Sequence, residues 1–166
     1  APGLASACRE ARIAPSLVGD AARPTTTKVR IVTERDQQVA RIDYEHDAEI
    51  GSDIEQRVIA ELQKHARRAS AIIISDYLKG CITQRVVAAA GEAAARSGVA
   101  VLVDPKIPHV DYYSGATVIT PNHHEAEIAA NMRVRGEDDA RTAARVFRER
   151  ARCRSVRPAR SRSRKS

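Results

Sequence analysis

Aromatic residues are scarce in this sequence. Its 166 residues include no Trp, one Phe and four Tyr, so aromatic residues make up only 3% of the chain. A core with so few rings has to be built from Val, Ile, Leu and Ala. This composition suits a parallel sheet covered by Ala-rich helices, and the length is enough for one ordinary domain.

Cysteine and long apolar runs are also in short supply. The three cysteines, Cys8, Cys81 and Cys153, are widely spaced and form no CxxC pair. This spacing argues against a disulfide framework or a zinc site and favours a reducing, cytoplasmic location. No apolar run approaches the roughly 20 residues of a membrane span, so no membrane partner is expected. The chain opens on Ala1 and its only Met is Met132, which suggests a fragment.

Positive charge is concentrated at the carboxyl end. The chain carries a net +7, but residues 148–166 alone hold eight Arg and one Lys against one Glu, a net of +8. The pattern after Cys153 has one Val among Arg, Ser, Ala, Pro and Lys. Residues 154–166 are therefore predicted to be a disordered basic tail that forms no strand and buries nothing. Two explanations stay open: an out-of-frame ending, or unspecific, salt-sensitive binding of nucleic acid phosphates.

Three short apolar runs predict buried strands. They are Ala71–Ser75, Val99–Val103 and Ala116–Thr120, each rich in β-branched residues or bounded by turn residues. A long Ala-rich helix between the first two predicts parallel pairing and a right-handed connection. Ligands collect beyond the carboxyl ends of parallel strands. The polar residues that follow the three strands are expected on one rim of the sheet: Asp76, Asp104 and Asn122.

Several helices are predicted around these strands. Ser52 and Glu55 match a capping box ahead of a helix that runs to about residue 69. Thr83 is expected to cap the Ala-rich helix, and Gly98 to end it. Two further helices are predicted over Leu4–Ala11 and Glu137–Ala151.

Another helix is predicted to start directly after the third strand. Pro121 sets the turn, Asn122 caps the first N–H groups, and Glu125 completes a second capping-box pattern. Helix-start chemistry alone explains both polar residues. The functional alternative is that a helix N-terminus attracts phosphate, while a carboxylate one turn in holds a metal with its water shell. The neighbouring His123 and His124 cannot both face one site, so they are not expected to be metal ligands.

The other rim residues also have purely structural interpretations. Asp76 and Asp104 stand at strand ends, where Asp commonly accepts turn N–H bonds. Lys79 and Lys106 can be read as solvated surface lysines.

Residues 24–45 differ in kind from the rest. Two segments alternate with period two around a polar turn at Arg35–Gln37, which predicts an antiparallel hairpin. Lys28 and Arg30 share one face of the first strand, and Arg41 shares a face of the second strand with Asp43. One interpretation is the solvated face of a half-buried sheet. The other is a cationic fork for an anionic ligand.

Three motifs in this order resemble one enzyme family. They are SDYLKG at Ser75–Gly80, LVDPK at Leu102–Lys106 and TPNHHE at Thr120–Glu125. The chain from about Cys8 to Cys153 resembles the middle of ribokinase-like (phosphofructokinase-B type) carbohydrate kinases. Within that family it is most similar to the members that phosphorylate a heptose 7-phosphate.

The resemblance implies an α/β fold with three αβα layers, a mostly parallel sheet and a small antiparallel β lid, all of it incomplete. Residues 1–153 would be a partial kinase domain, with the lid at 24–45 and the nucleotide-side core at 52–151. ATP, Mg²⁺ and a sugar phosphate would be the ligands, and a homodimer through the lid is possible in such a family. Specific nucleic-acid binding is not implied. The implied nucleotide-binding residues are Asn122, Glu125, Asp104 and Lys106, with Glu125 also at the metal. The implied substrate-binding residues are Lys28, Arg30, Arg41 and Asp76.

One departure from the family concerns catalysis. The family carries a Gly-Ala-Gly-Asp loop whose Asp is the general base, and none of the eight Gly here forms such a loop, a P-loop or a GxGxxG motif. Phosphoryl transfer relies on positioning and electrostatic stabilisation, both of which that loop supplies. The chain as given is therefore predicted to be inactive. A non-catalytic nucleotide-binding module and a kinase of another substrate remain alternatives.

Overall fold

A computed structural model describes residues 2–158, except for the side chain of Pro2. It contains five α-helices, one 3-10 helix and six strands within those residues. In chain order they are α1 (Pro2–Glu10), β1 (Thr27–Val32), β2 (Gln38–Tyr44), α2 (Ser52–Ala66), β3 (Ala71–Ser75), α3 (Gln84–Ser97), β4 (Ala100–Asp104), the 3-10 helix (Ile107–Tyr113), β5 (Val118–Ile119), α4 (His123–Ala130), α5 (Glu137–Ala151) and β6 (Ser155–Val156).

The main sheet is parallel throughout and has the order β3-β4-β5-β6. This confirms the predicted α/β class and the pairing of the first two apolar runs. β5 is shorter than the predicted Ala116–Thr120. One reason is that the Thr117 hydroxyl accepts from the backbone N–H of Val101 at 3.0 Å, in place of a regular ladder bond.

The helix boundaries follow the predicted caps in α3 but not in α2. The Thr83 side chain accepts from Val86 N at 3.2 Å, and Gly98 ends α3 with φ of +66°. The capping box predicted at Ser52 is wrong, because Gly51 occupies the cap position without a side-chain bond. The Glu55 carboxylate instead accepts from Thr83 and pairs with Arg85, which ties α2 to the start of α3.

The core lies on one face of the sheet. Ile74, Val101, Val103 and Ile119 point into it and pack against apolar residues of the helices. The helical side of this core is supplied by α3, the 3-10 helix, α4 and α5, with Phe147 completely buried. The opposite face is open at β3, where the Ile73 side chain is 74% exposed.

The prediction that nothing after Cys153 forms a strand is wrong for the first residues of the tail. Ser155 and Val156 form β6, with Ser155 in register with Val118. Backbone bonds from Arg154 to Ala116 and from Arg157 to Ile119, each 2.9 Å, extend this pairing. Backbone pairing with β5 therefore outweighs the polar composition. The rest of the predicted tail, residues 159–166, lies outside the described residues.

The hairpin of β1 and β2 is antiparallel, as predicted, and stands apart from the main sheet. Its apolar face is not packed on the core: Val29, Ile31 and Ile42 are 41%, 47% and 42% exposed. The half-buried interpretation is therefore wrong. A homodimer through this surface stays a prediction. Among the described residues, no helix is long and apolar enough to cross a membrane.

Candidate functional site at the carboxyl ends of the strands

Parallel pairing brings the ends of three strands together. Ser75 at the end of β3 is in register with Asp104 at the end of β4, and the N–H of Asp76 donates to the Asp104 carbonyl at 3.1 Å. β5, on the other side of β4, leads through Pro121 into α4. We call this edge of the sheet the rim. Its polar residues are Asp76, Asp104, Lys106, Asn122 and Glu125.

Asp76 is the most enclosed acid of the rim, with 1% of its surface exposed. One carboxylate oxygen accepts from the N–H of Leu78 at 2.8 Å, which is the turn bond that the structural interpretation predicts. The other oxygen lies 2.6 Å from His109 Nδ1 and accepts from the Tyr113 hydroxyl at 2.7 Å. Asp76 therefore holds the 3-10 helix against the end of β3. Its predicted role in substrate binding stays a prediction.

The Tyr113 hydroxyl links this carboxylate to the backbone of Lys106. It donates to Asp76 and accepts from the N–H of Lys106 at 3.0 Å. Burial raises the pKa of Tyr113 far above its usual value, although the bond from the Lys106 backbone acts in the opposite direction. The hydroxyl consequently keeps its proton and remains the donor to Asp76.

Lys106 reaches from the end of β4 to α4. Its ammonium pairs with one oxygen of the buried Glu125 carboxylate. This hydrogen bond raises the pKa of Lys106 above its usual value, burial acts in the opposite direction, and the Glu125, Asp104 and Asp76 charges add to the rise. Lys106 is therefore a fixed cation of the rim, and its interpretation as a free surface lysine is wrong.

The start of α4 confirms the predicted capping box. Asn122 Oδ1 accepts from the N–H of Glu125 at 2.9 Å, and Glu125 Oε2 accepts from the N–H of Asn122 at 2.8 Å. The first helical carbonyl bond is made by the N–H of Ala126, to Asn122. The N–H groups just before it belong to the part of a helix that favours anions. The cap and the charge of Lys106 thus coincide at one point of the rim.

The carboxylates of the rim suit a metal ion whose other ligands are water and phosphate oxygens. Mg²⁺ commonly binds through one or two carboxylates together with water and phosphate oxygens. Asp104 offers an exposed side chain, 3.5 Å from the Ser75 hydroxyl, and the charges of both Asp104 and Glu125 act on the Lys106 ammonium. Within residues 2–158, no group of three or more His, Cys, Asp or Glu is arranged to hold an ion by itself. The His123 ring contacts an acid of its own helix, with Nε2 3.5 Å from Glu127 Oε1.

The hairpin carries its cations on one face, near acids of its own. Lys28 pairs with Asp43 at 2.9 Å and Glu45 at 3.2 Å, and Arg41 lies 2.9 Å from Asp43. Arg30 is directly opposite Arg41 in the register, and like charges in such a pair repel. In the described part of the chain, no hydrogen bond or ion pair joins the three predicted hairpin residues, Lys28, Arg30 and Arg41, to the rim.

A short loop nevertheless connects the hairpin to the rim. Lys79, three residues after Asp76, pairs with Glu45 at the foot of β2. Its carbonyl accepts from Arg23 Nη2 at 2.7 Å, and the same nitrogen donates to the His46 carbonyl at 2.8 Å. The interpretation of Lys79 as a free surface lysine is therefore wrong as well.

Sequence reasoning missed His109 and Tyr113. Both lie in the segment IPHVDYY, which follows the second strand and has neither helical nor strand periodicity. One signal could have pointed to this segment. Aromatic residues are scarce, and two of the four tyrosines in the chain, Tyr112 and Tyr113, are adjacent here. His109 also stacks on Tyr112, with ring centres 4.5 Å apart.

Fold and site together define a class. The protein is an α/β protein with a separate antiparallel hairpin, and its parallel sheet carries a lysine, carboxylates and a helix N-terminus at the carboxyl ends of the strands. The model of the pfkB family of carbohydrate kinases matches residues 3–155. The chain therefore belongs to the pfkB family of carbohydrate kinases.

Curated relatives point within that family. The chain is 42% identical over 141 residues to the bifunctional protein HldE of Rhodopseudomonas palustris (strain BisB5), which covers 84% of this chain and 29% of that protein. It is also 42% identical over 125 residues to HldE of Geotalea uraniireducens, covering 75% of this chain and 25% of the relative. The chain thus spans less than a third of the length of these relatives.

Solved structures support the fold. Phosphofructokinase-2 from Escherichia coli in complex with fructose-6-phosphate matches 96% of this chain with a TM-score of 0.72 at 17% identity. The tetrameric inhibited form of the same enzyme matches 93% with a TM-score of 0.68 at 16% identity. The matches cover 53% and 51% of those chains. At this level of identity they show a shared fold.

Proposed function

We propose that this chain is part of the kinase domain of an ATP-dependent sugar-phosphate kinase, with a lid hairpin at residues 24–45 and a nucleotide-side core at residues 52–151. The reaction would transfer the γ-phosphoryl group of ATP to heptose 7-phosphate and give heptose 1,7-bisphosphate. The identity to HldE proteins and the pfkB match support the reaction class. The observation that carries the proposal is the Lys106–Glu125 pair at the capped start of α4, next to Asp104.

On the nucleotide side, Lys106 and the start of α4 would hold the phosphates. A lysine ammonium and helix N–H groups together favour a polyphosphate chain. Asp104 and Glu125 would hold Mg²⁺ through its water and phosphate ligands, and bound Mg²⁺ would neutralise charge on the phosphates. Asn122 would act chiefly through its side-chain cap, in which Oδ1 accepts from the N–H of Glu125 and keeps Glu125 oriented.

On the sugar side, the hairpin cations would bind the phosphate of the sugar. Arg30 and Arg41 face each other across the strands, and an anion between two guanidinium groups would relieve their repulsion. Lys28 would add charge from the next register position. Asp76, which lies on the same loop as Lys79, would contribute to sugar binding from the rim.

The general base is the part that these 166 residues do not provide. They contain no Gly-Ala-Gly-Asp loop, so we propose that they bind nucleotide without turnover when supplied alone. The chain would then behave as a nucleotide-binding module of a pfkB kinase rather than as a complete catalyst.

Calorimetric titration of MgATP tests the nucleotide side. We expect binding by the wild type, and a loss of affinity of about tenfold or more in Lys106→Met, because a charged hydrogen bond contributes about 1.5–3 kcal/mol. Lys64→Met is the matched control, since Lys64 pairs with Glu61 at 3.3 Å on the exposed surface of α2. It should bind MgATP as the wild type does.

Two results would count against the proposal. One is a folded wild type, verified by circular dichroism, that binds no MgATP. The other is equal affinity in the Lys106 and Lys64 variants. A coupled ADP-release assay with heptose 7-phosphate tests turnover separately: clear activity would refute only the missing-base part, and would strengthen the kinase assignment.

A further inference from the structure

One surface outside the rim carries an unusual density of arginine. Arg141, Arg145 and Arg148 of α5, together with Arg154 and Ser155, line a shallow depression of about 350 Å³. Arg154 precedes β6, so it lies towards the amino ends of the parallel strands, away from the rim. We call this surface the arginine face.

The face is a consequence of helical spacing. Positions 141, 145 and 148 recur at intervals of four and three, which places their side chains along one side of α5. The other side of the helix buries Ala143, Phe147 and Ala151 in the core. The packing of α5 therefore fixes which way the arginines point.

The arginines of this face are poorly neutralised. Arg141 pairs with Glu137 at 2.7 Å, but among residues 2–158 no ion pair joins Arg145, Arg148 or Arg154 to an acid. In a cationic depression between α2 and α3, by comparison, Lys64 and Arg96 pair with acids of their own helices, at 3.3 Å and 3.7 Å, and Arg67 is the remaining cation. Three of the four arginines on the arginine face thus have no acid partner among residues 2–158, whereas two of the three cations of the other depression have one.

We propose that the arginine face binds the phosphate backbone of double-stranded nucleic acid. Guanidinium groups match phosphate oxygens in two-pronged geometry, and several of them in one depression attract closely spaced phosphates. The aromatic ring of this helix, Phe147, is buried, so the face offers no platform for stacking unpaired bases. Recognition is therefore of the duplex backbone and independent of sequence.

The sequence beyond the described residues adds charge of the same sign. Residues 159–166 contain three Arg and one Lys and no acid. This binding is separate from the kinase site and does not depend on it.

The test is fluorescence anisotropy of a labelled 20-base-pair DNA duplex with the full chain, titrated across a range of salt concentrations. Each phosphate contact contributes a slope of about 0.9 to the plot of log affinity against log salt. The triple variant Arg145→Gln/Arg148→Gln/Arg154→Gln should therefore lower the slope by about 2.7 and weaken binding at least tenfold in low salt.

Two variants with the same change in charge serve as controls. Arg9→Gln/Arg67→Gln/Arg68→Gln alters three exposed arginines elsewhere and should leave the slope nearly unchanged. Arg160→Gln/Arg162→Gln/Arg164→Gln separates the following residues from the face. The proposal is overturned if the first control weakens binding as much as the face variant, or if only the 160–164 variant has an effect. It is also overturned if the chain binds vesicles containing a third phosphatidylserine but not the duplex.

Discussion

At the scale of single residues, the Tyr113 hydroxyl stands between the two halves of the rim. It donates to the buried Asp76 carboxylate and accepts from the backbone of Lys106. The side chain of Lys106 then continues to Glu125. One hydroxyl thus fixes both the strand end that carries Asp76 and the residue that carries the ammonium.

Removing that hydroxyl should destabilise the protein. Tyr113→Phe leaves a buried carboxylate oxygen and a backbone N–H each short of one partner, at a cost of about 1–3 kcal/mol in the free energy of unfolding. Urea denaturation measures the loss. Tyr112→Phe is the control, because Tyr112 stacks on His109 through its ring and should unfold close to the wild-type midpoint. Equal midpoints for the two variants would contradict the role given to the hydroxyl.

Tyr113 also determines how the stability difference between the wild type and Tyr113→Phe should depend on pH. Burial raises the pKa of Tyr113 in the folded state, whereas an unfolded tyrosine titrates near pH 10. Its contribution is therefore complete below about pH 10 and is lost as pH rises above that value, by about 1.4 kcal/mol per pH unit. Tyr113→Phe lacks this loss, so the stability difference between wild type and variant should shrink between pH 9 and pH 11.

The positions of the rim residues were predictable from the sequence where the end of a strand determines them. Asp76 follows β3, Asp104 ends β4 and Asn122 lies three residues after β5, so parallel pairing brings them to the same edge. His109 and Tyr113 were not predictable, because their positions depend on how a 3-10 helix returns to the end of β3. No local period in the sequence encodes that return.

At the scale of elements, Gly80 joins the loop after β3 to the segment before α2. Its φ is +72°, and a Cβ there would lie 1.8 Å from the backbone oxygen of Ala48. Its own carbonyl accepts from the N–H of Ile50 at 3.0 Å. No side chain fits here without moving backbone, so this glycine fixes how the two segments meet.

Two glycine-to-alanine changes should have opposite effects. Gly80→Ala forces backbone apart and should lower the melting temperature by several degrees, as expected for a loss of more than about 1 kcal/mol. Gly91→Ala lies inside α3 with nothing within 4 Å of the added Cβ. It should stabilise the protein by about 0.5–1 kcal/mol, because alanine favours a helix more than glycine does. Calorimetric melting curves compare the two, and a stable Gly80→Ala variant would show that the close approach is not required.

Elements were predictable where all the local signals in the sequence agreed. α5 was predicted to the residue, since its acids, arginines and apolar positions agree over 15 residues. The start of α2 was misread because Glu55, which fits a capping box, is used instead in a tertiary contact with Thr83. β6 was missed because two residues with a single Val156 show no period, and its pairing comes from the neighbouring strand.

At the scale of the whole molecule, the described residues leave one face of the main sheet open. Ile73 and Ile74 are neighbours in β3, but Ile73 is 74% exposed and Ile74 is 5% exposed. β3 is also the edge of the sheet among these residues. An exposed apolar residue on an edge strand favours self-association.

Adjacent threonine substitutions should separate solubility from stability. Ile73→Thr should reduce aggregation, measured by light scattering, with little change in the urea midpoint. Ile74→Thr should cost about 2–4 kcal/mol, because it removes buried methyl groups and buries a hydroxyl. If Ile73→Thr unfolds as easily as Ile74→Thr, the face at β3 is covered in solution and the open surface described above is wrong.

The Lys79–Glu45 contact has a mechanical consequence. Lys79 and Asp76 lie on one short loop. This loop therefore links the foot of the hairpin to the carboxylate that contacts the 3-10 helix. We therefore expect a shift of the hairpin to disturb the Asp76–Tyr113 hydrogen bond and, through the Tyr113 hydroxyl, the backbone of Lys106.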